Sequence, residues 1–165
     1  MKAKIKHYIK EIVLFILVIG VFANGISLYK AQDLNKSTLT LQTQKLIDAS
    51  SYKVEENKPL MLHFWATWCP VCKAEADNIE RLSHYYNVVT VAVNSGTDYE
   101  IQKYLDEKGL TFKVINDKDS SLSKHFNVNV FPTTFIYDKN KNLLFSEVGY
   151  TSSFGLWMRM LWANL

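Results

Sequence analysis

Cys69-Pro70-Val71-Cys72 holds both cysteines of the chain, three positions apart. Two thiols at that spacing can close on each other, exchange their disulfide with another sulfur, or act together as soft metal ligands. The flanks favour exchange. An apolar run, Pro59-Leu60-Met61-Leu62-His63-Phe64-Trp65, ends just before the pair, and a helical pattern begins at it. Pro70 suits the first helical turn, where its missing N–H costs nothing. Cys69 then lies at a helix N-terminus, where unpaired N–H groups and the positive dipole end stabilise a thiolate. Such sites bring a thiol from about 8.5 down to roughly 3.5–7.5. Cys72, one helical turn on and deeper, can attack a mixed disulfide formed by Cys69. Cys69 is therefore read as the nucleophile and Cys72 as the resolving thiol. A structural zinc site needs two more ligands. No third cysteine exists, and His7, His63, His84 and His125 show no paired metal spacing, so no metal site is expected. The alternative from another class is a Cu(I)-binding module using both thiolates, although no methionine or histidine stands beside the pair.

Positioning such a pair requires a buried strand feeding a helix, and the pattern supplies one. Pro59 to Trp65 and Val88 to Val93 read as strands buried on both faces. Between them, Val71, Ala74, Ile79, Leu82 and Tyr86 mark a helix from about Pro70 to Tyr86. Asp98 to Lys108 reads as a surface helix stopped by Gly109, Phe112 to Ile115 as a short strand, and Ser120 to Phe126 as a short helix. Thr133 to Tyr137 and Leu143 to Val148 are strands around five polar residues, a hairpin signal. Thr151 to Asn164 closes the chain as a helix that is apolar nearly all round, with Trp157 and Trp162 in it. Strand–helix–strand order demands a parallel core, and the late hairpin adds antiparallel strands. The expectation is an α/β fold with a mixed central sheet sandwiched by helices.

Composition agrees. The 165 residues, 48% apolar and 21% charged, suit one domain with an appendage and exclude a disordered chain. Two cysteines exclude a multi-bridge secreted scaffold. The net charge of +3 is local: Lys2, Lys4, Lys6 and Lys10 outweigh Glu11, which leaves 15 of the 19 basic and 15 of the 16 acidic side chains in residues 12–165. That neutral body excludes an electrostatic footprint for nucleic acid. Residues 12–23 carry no polar side chain, and the run continues to Tyr29 with only Asn24 and Ser27 as interruptions. Residues 12–29 as a helix would reach about 27 Å, against a hydrocarbon core of roughly 30 Å. Lysines before the run and none inside it place the N-terminus in the cytoplasm and the body outside. A retained single-span anchor is the favoured reading. A signal cut near Ala23-Asn24-Gly25 stands beside it. The expected organisation is an N-terminal tip and transmembrane anchor over 1–29, a tether over 30–52, and a domain over 53–165.

The segment Phe64-Trp65-Ala66-Thr67-Trp68-Cys69-Pro70-Val71-Cys72-Lys73 resembles the active-site stretch of the thioredoxin superfamily. Phe131-Pro132-Thr133-Thr134-Phe135-Ile136 resembles its cis-proline loop, and the stretch from Val93 to Asn116 is similar to the insertion of the membrane-anchored TlpA/ResA/DsbE branch. Within that branch the chain is most similar to the ScsD-type exported disulfide oxidoreductases, named for suppression of copper sensitivity. The resemblance implies a thioredoxin-like fold and a protein-disulfide oxidoreductase whose only redox group is a Cys69–Cys72 disulfide, with no organic cofactor. It implies substrate contacts at Phe131, Pro132 and Thr133, a cis bond at Pro132, and protein thiols or disulfides as substrates. It further implies a membrane thiol-transfer partner of the DsbD or ScsB kind, and a catalytic domain in the periplasm on a single-pass protein of the bacterial inner membrane. A dedicated reductant in cytochrome c maturation is the alternative within the same fold.

Some positions depart from the family pattern. His63 stands six residues before Cys69, where thioredoxins carry a buried acid. It could accept the Cys72 proton, favour thiolate when charged, or simply be a satisfied core imidazole. Glu75 matches an acidic residue of the branch and is read either as a proton-tuning group or as a solvated carboxylate. Asp77 replaces a usual helix-kinking proline, so the helix is expected to run straighter. Phe131 is bulkier than the residue usually found before this proline. Trp68 is expected in the binding rim, with Pro70 and Val71 supporting the pair.

Overall fold

The computed structural model describes residues 7–15, 18, 20, 21, 25, 34, 35, 37–39, 41 and 43–165. The body runs β1 Gln44–Lys45, β2 Ser51–Tyr52, β3 Leu60–Trp65, α1 Pro70–Ser83, β4 Val88–Val93, α2 Asp98–Lys108, β5 Lys113–Asp117, α3 Ser121–His125, β6 Thr133–Tyr137, β7 Leu143–Val148 and α4 Ser153–Ala163. Five strands form one sheet in the order β5-β4-β3-β6-β7. The first three are parallel, and β6 and β7 join antiparallel, so the sheet is mixed as expected. All residues of β3, β4 and β6 are buried, which is why these segments carry no polar alternation.

Alternation along the strands divides the core into two layers. Met61, Trp65, Val88, Ala92 and Ile136 face Cys72, Ile79 and Leu82 of α1, Ile101 and Leu105 of α2, and Leu156 and Met160 of α4. Leu60, Leu62, Phe64, Val89, Val91 and Phe135 face the other way, onto Phe126, Val128, Leu34, Leu46 and Tyr52. Part of the stretch read as a tether therefore lies on the sheet: Leu34, Leu46 and Tyr52 are buried, and Leu46 forms a lone bridge to Ile115. In sequence only Thr38, Thr40 and Thr43, alternating around Leu39 and Leu41, give this stretch a short strand-like lead-in; the isolated Leu34 and Leu46 carry no periodicity that marks their burial.

Helix ends follow their local chemistry. Thr97 and Glu100 form a capping box at α2, and Gly109 ends it with φ 65°, a left-handed turn that glycine adopts without a Cβ clash. Helix α1 stops at Ser83, three residues before the expected end. It shows one continuous helical span past Asp77. Helix α4 buries Leu156, Met160 and Ala163, while Phe154, Trp157, Met158, Leu161 and Trp162 remain exposed.

The N-terminal anchor expected over 1–29 falls largely outside the described residues. Residues 7–15 are helical, and their apolar side chains stand exposed. Among the described residues no helix is long and apolar enough to cross a membrane.

Candidate active site

Strand β3 delivers the chain to the sheet's carboxyl edge, and the turn Ala66–Trp68 hands it to α1. Cys69 is the N-cap, in extended conformation, and Pro70 occupies the first helical position. Cys69 N–H donates to Ala66 O at 3.2 Å, and Lys73 N–H donates to Cys69 O at 3.2 Å. Cys69 and Cys72 form a disulfide with Cα atoms 5.3 Å apart. Cys72 N–H donates to Cys69 Sγ at 3.1 Å, so a free helix N–H already points at the sulfur that would carry thiolate charge. Cys69 is 5% exposed and Cys72 3%, so the sequence's contrast between an open and a deep sulfur is slight in this oxidised state.

The cover over the disulfide comes from two loops. Trp68 is 58% exposed, donates its Nε1–H to Asn94 O at 3.1 Å, and meets Phe131 edge to face at 5.8 Å between centroids. The Phe131–Pro132 bond is cis, and Phe131 O lies 3.7 Å from Cys69 Sγ. Pro132 is buried, and its carbonyl accepts from Gly149 N–H at 2.8 Å. Thr133 is buried too; its hydroxyl donates to Val130 O at 2.7 Å, so it shapes the loop and leaves backbone to meet a substrate. Pro70 and Val71 are exposed on the near side of the helix.

His63 and Glu75 are both buried. His63 is 2% exposed, and its Nδ1 is 2.9 Å from Thr134 Oγ1 on β6. Burial pushes its pKa down to about 3, so the imidazole is neutral, which fits an acceptor or a satisfied core group and not a charged one. Thr90 and Thr134 flank it in register, and Thr90 Oγ1 accepts from Trp65 Nε1–H at 3.0 Å. Glu75 is fully buried, which removes the solvated-carboxylate reading. Its Oε1 accepts from Thr151 N–H at 2.9 Å, whereas Oε2 is buried without a partner. Burial, assisted by the charge of Glu147, pushes its pKa up to about 7. Glu147 itself pairs with Arg159 at 2.8 Å. The sequence does not mark Thr134, Asn94 and Thr151 as partners of His63, Trp68 and Glu75, because strand pairing and loop contacts decide them.

A disulfide at a helix N-terminus, opposite a cis-proline loop in a thioredoxin-like fold, defines a thiol–disulfide oxidoreductase. The comparisons agree. The AhpC/TSA family profile matches residues 30–146, and the chain belongs to that family. It is 33% identical over 134 residues to a thioredoxin-like protein of Haemophilus influenzae, covering 81% of this chain and 78% of that one. It is also 33% identical over 119 residues to the thiol-disulfide oxidoreductase ResA of Oceanobacillus iheyensis, with 68% of this chain and 62% of the relative covered. A secreted Mycobacterium tuberculosis disulfide oxidoreductase homologous to E. coli DsbE superposes with a TM-score of 0.65 at 23% identity, over 73% of this chain and 94% of that one. That last likeness speaks for the fold alone.

Proposed function

We propose that this chain is an exported, membrane-tethered protein-disulfide oxidoreductase in which Cys69 exchanges with protein sulfur and Cys72 resolves the mixed disulfide. The observation that carries the assignment is the Cys72 N–H directed at Cys69 Sγ, 3.1 Å away at the start of α1. When Cys69 stands free as the nucleophile, or is displaced from a mixed disulfide, that N–H stabilises its thiolate charge. The Phe131 backbone beside Cys69 offers an extended substrate segment a strand-like docking edge. The disulfide itself carries two electrons, so the reaction needs no organic cofactor. Its electrons pass to or from a membrane thiol-transfer protein of the DsbD or ScsB kind, on the periplasmic side of a bacterial inner membrane. Supporting the tether are the lysines before the apolar run and the exposed apolar side chains over residues 7–15. The ScsD-type affiliation rests on the residues that resemble it. Cys72→Ser tests the assignment: it should accumulate protein-sized mixed disulfides through Cys69, visible on non-reducing gels and absent in Cys69→Ser. Tight Cu(I) binding with no adduct and no turnover of a scrambled substrate would refute it.

A further inference from the structure

The body of the chain enters the fold at its catalytic end. Leu34 is 7% exposed and packs in the layer that holds Phe126 and Val128. Asn35 N–H donates to Phe126 O at 3.2 Å, and the Asn35 side-chain amide donates to His125 O at 3.1 Å. Further on, Leu39 N–H donates to Lys141 O at 3.0 Å. These two attachments lie at opposite ends of the sheet. The Phe126 ring is 5.4 Å from that of Phe64, next to last in β3, whose carboxyl end leads into Cys69. Lys141 lies past Tyr137, which pairs with Leu60 at the amino end of β3. The segment thus docks beside the active-site edge first and then crosses the sheet away from it.

The apolar run ends at Tyr29, so only residues 30–33 separate it from Leu34. Five Cα steps span at most about 18 Å when fully extended. We propose that this short link holds the catalytic edge towards the bilayer, so that the site serves protein thiols and disulfides held at the membrane surface in preference to freely diffusing ones. This rests on the tethered-oxidoreductase reading above. The rim fits such a partner: Trp68, Pro70, Val71 and Val130 are exposed around the disulfide, apolar groups suited to a segment leaving the hydrocarbon region. In the exchange a partner thiolate attacks Cys69 Sγ, the Cys69–Cys72 bond breaks, and Cys72 leaves as thiolate. The partner's second thiol then displaces Cys69. Two electrons move to this chain, and both protons of the partner dithiol end on Cys69 and Cys72.

The test uses the full chain in phosphatidylcholine vesicles with a transmembrane peptide whose Cys-x-x-Cys dithiol sits at the membrane surface. A second peptide lifts the same dithiol on a rigid 20-residue helical spacer, about 30 Å. A second form of the protein carries a 20-residue Gly/Ser insertion between Gln32 and Asp33. The parent protein should react at least about fivefold faster with the low dithiol, and the insertion should abolish that preference, because reach sets effective concentration. Dithiothreitol should reduce both forms at the same rate. Equal rates with both peptides for the parent, or a preference that survives the insertion, overturn the proposal alone. Failure to exchange even with dithiothreitol, or recovery of the protein free of vesicles, overturns it together with the reading beneath it.

Discussion

Glu75→Gln should change the way the stability of this protein depends on pH. The carboxyl is fully buried, with one oxygen bonded to Thr151 N–H and the other unpartnered. Burial pushes its pKa from 4.5 up to about 7 in the fold. Between those values the folded chain holds a proton that the unfolded chain has released, so stability is complete below about pH 4.5 and falls as pH rises towards 7. At about 1.4 kcal/mol per pH unit, that interval amounts to about 3 kcal/mol. His63 works in the opposite sense. Its pKa drops from 6.5 to about 3 on folding, so the unfolded chain binds the extra proton and stability rises with pH across that range. The two slopes offset each other in the parent between pH 4.5 and 6.5, and a flat profile there would hide both. The difference between parent and Glu75→Gln removes the histidine from the comparison. Glutamine keeps an oxygen for Thr151 N–H and has no charge to desolvate. Urea unfolding of both oxidised proteins from pH 4.5 to 8 should show a stability difference that grows in favour of the variant by about 3 kcal/mol and levels off above pH 7. A difference that does not change with pH would refute the reasoning, because it would mean Glu75 titrates alike in both states.

Two further outcomes follow from the packing. Thr134→Val leaves His63 Nδ1 without its hydroxyl partner in a buried site. It should lower stability by about 1–3 kcal/mol, read as a shifted urea midpoint at unchanged slope. Leu46→Ala should cost about 2–4 kcal/mol although Leu46 lies in the stretch that reads as a tether, because its side chain is 6% exposed in the second core layer. An unchanged midpoint would show that this stretch is not part of the cooperative unit.

Local chemistry was legible in the sequence wherever it depends on neighbours along the chain. The Cys-Pro-Val-Cys turn, the unbroken apolar strands β3 and β4, and the hairpin around Asp138 to Asn142 each carry their own signal, since burial on both faces removes polar alternation and helix starts favour proline. The family resemblance singled out Glu75 and His63 without deciding what either one is. Whether a carboxylate three residues past Cys72 meets water depends on α4 and on the Thr151 loop, which arrive some 76 positions later. Whether an imidazole on β3 is charged depends on the strands and helices that bury it, and its side-chain partner, Thr134, lies 71 residues away. Sequence by itself determined the chemistry on offer: two thiols at a helix start, and a lysine-flanked apolar run ahead of a neutral body. Tertiary structure alone decided that Glu75 and His63 are desolvated, that Phe131 and Trp68 close over the disulfide, and that Leu34 docks at the catalytic edge. Desolvation and docking come from surfaces that meet only when distant segments pack, and no spacing along the chain encodes them.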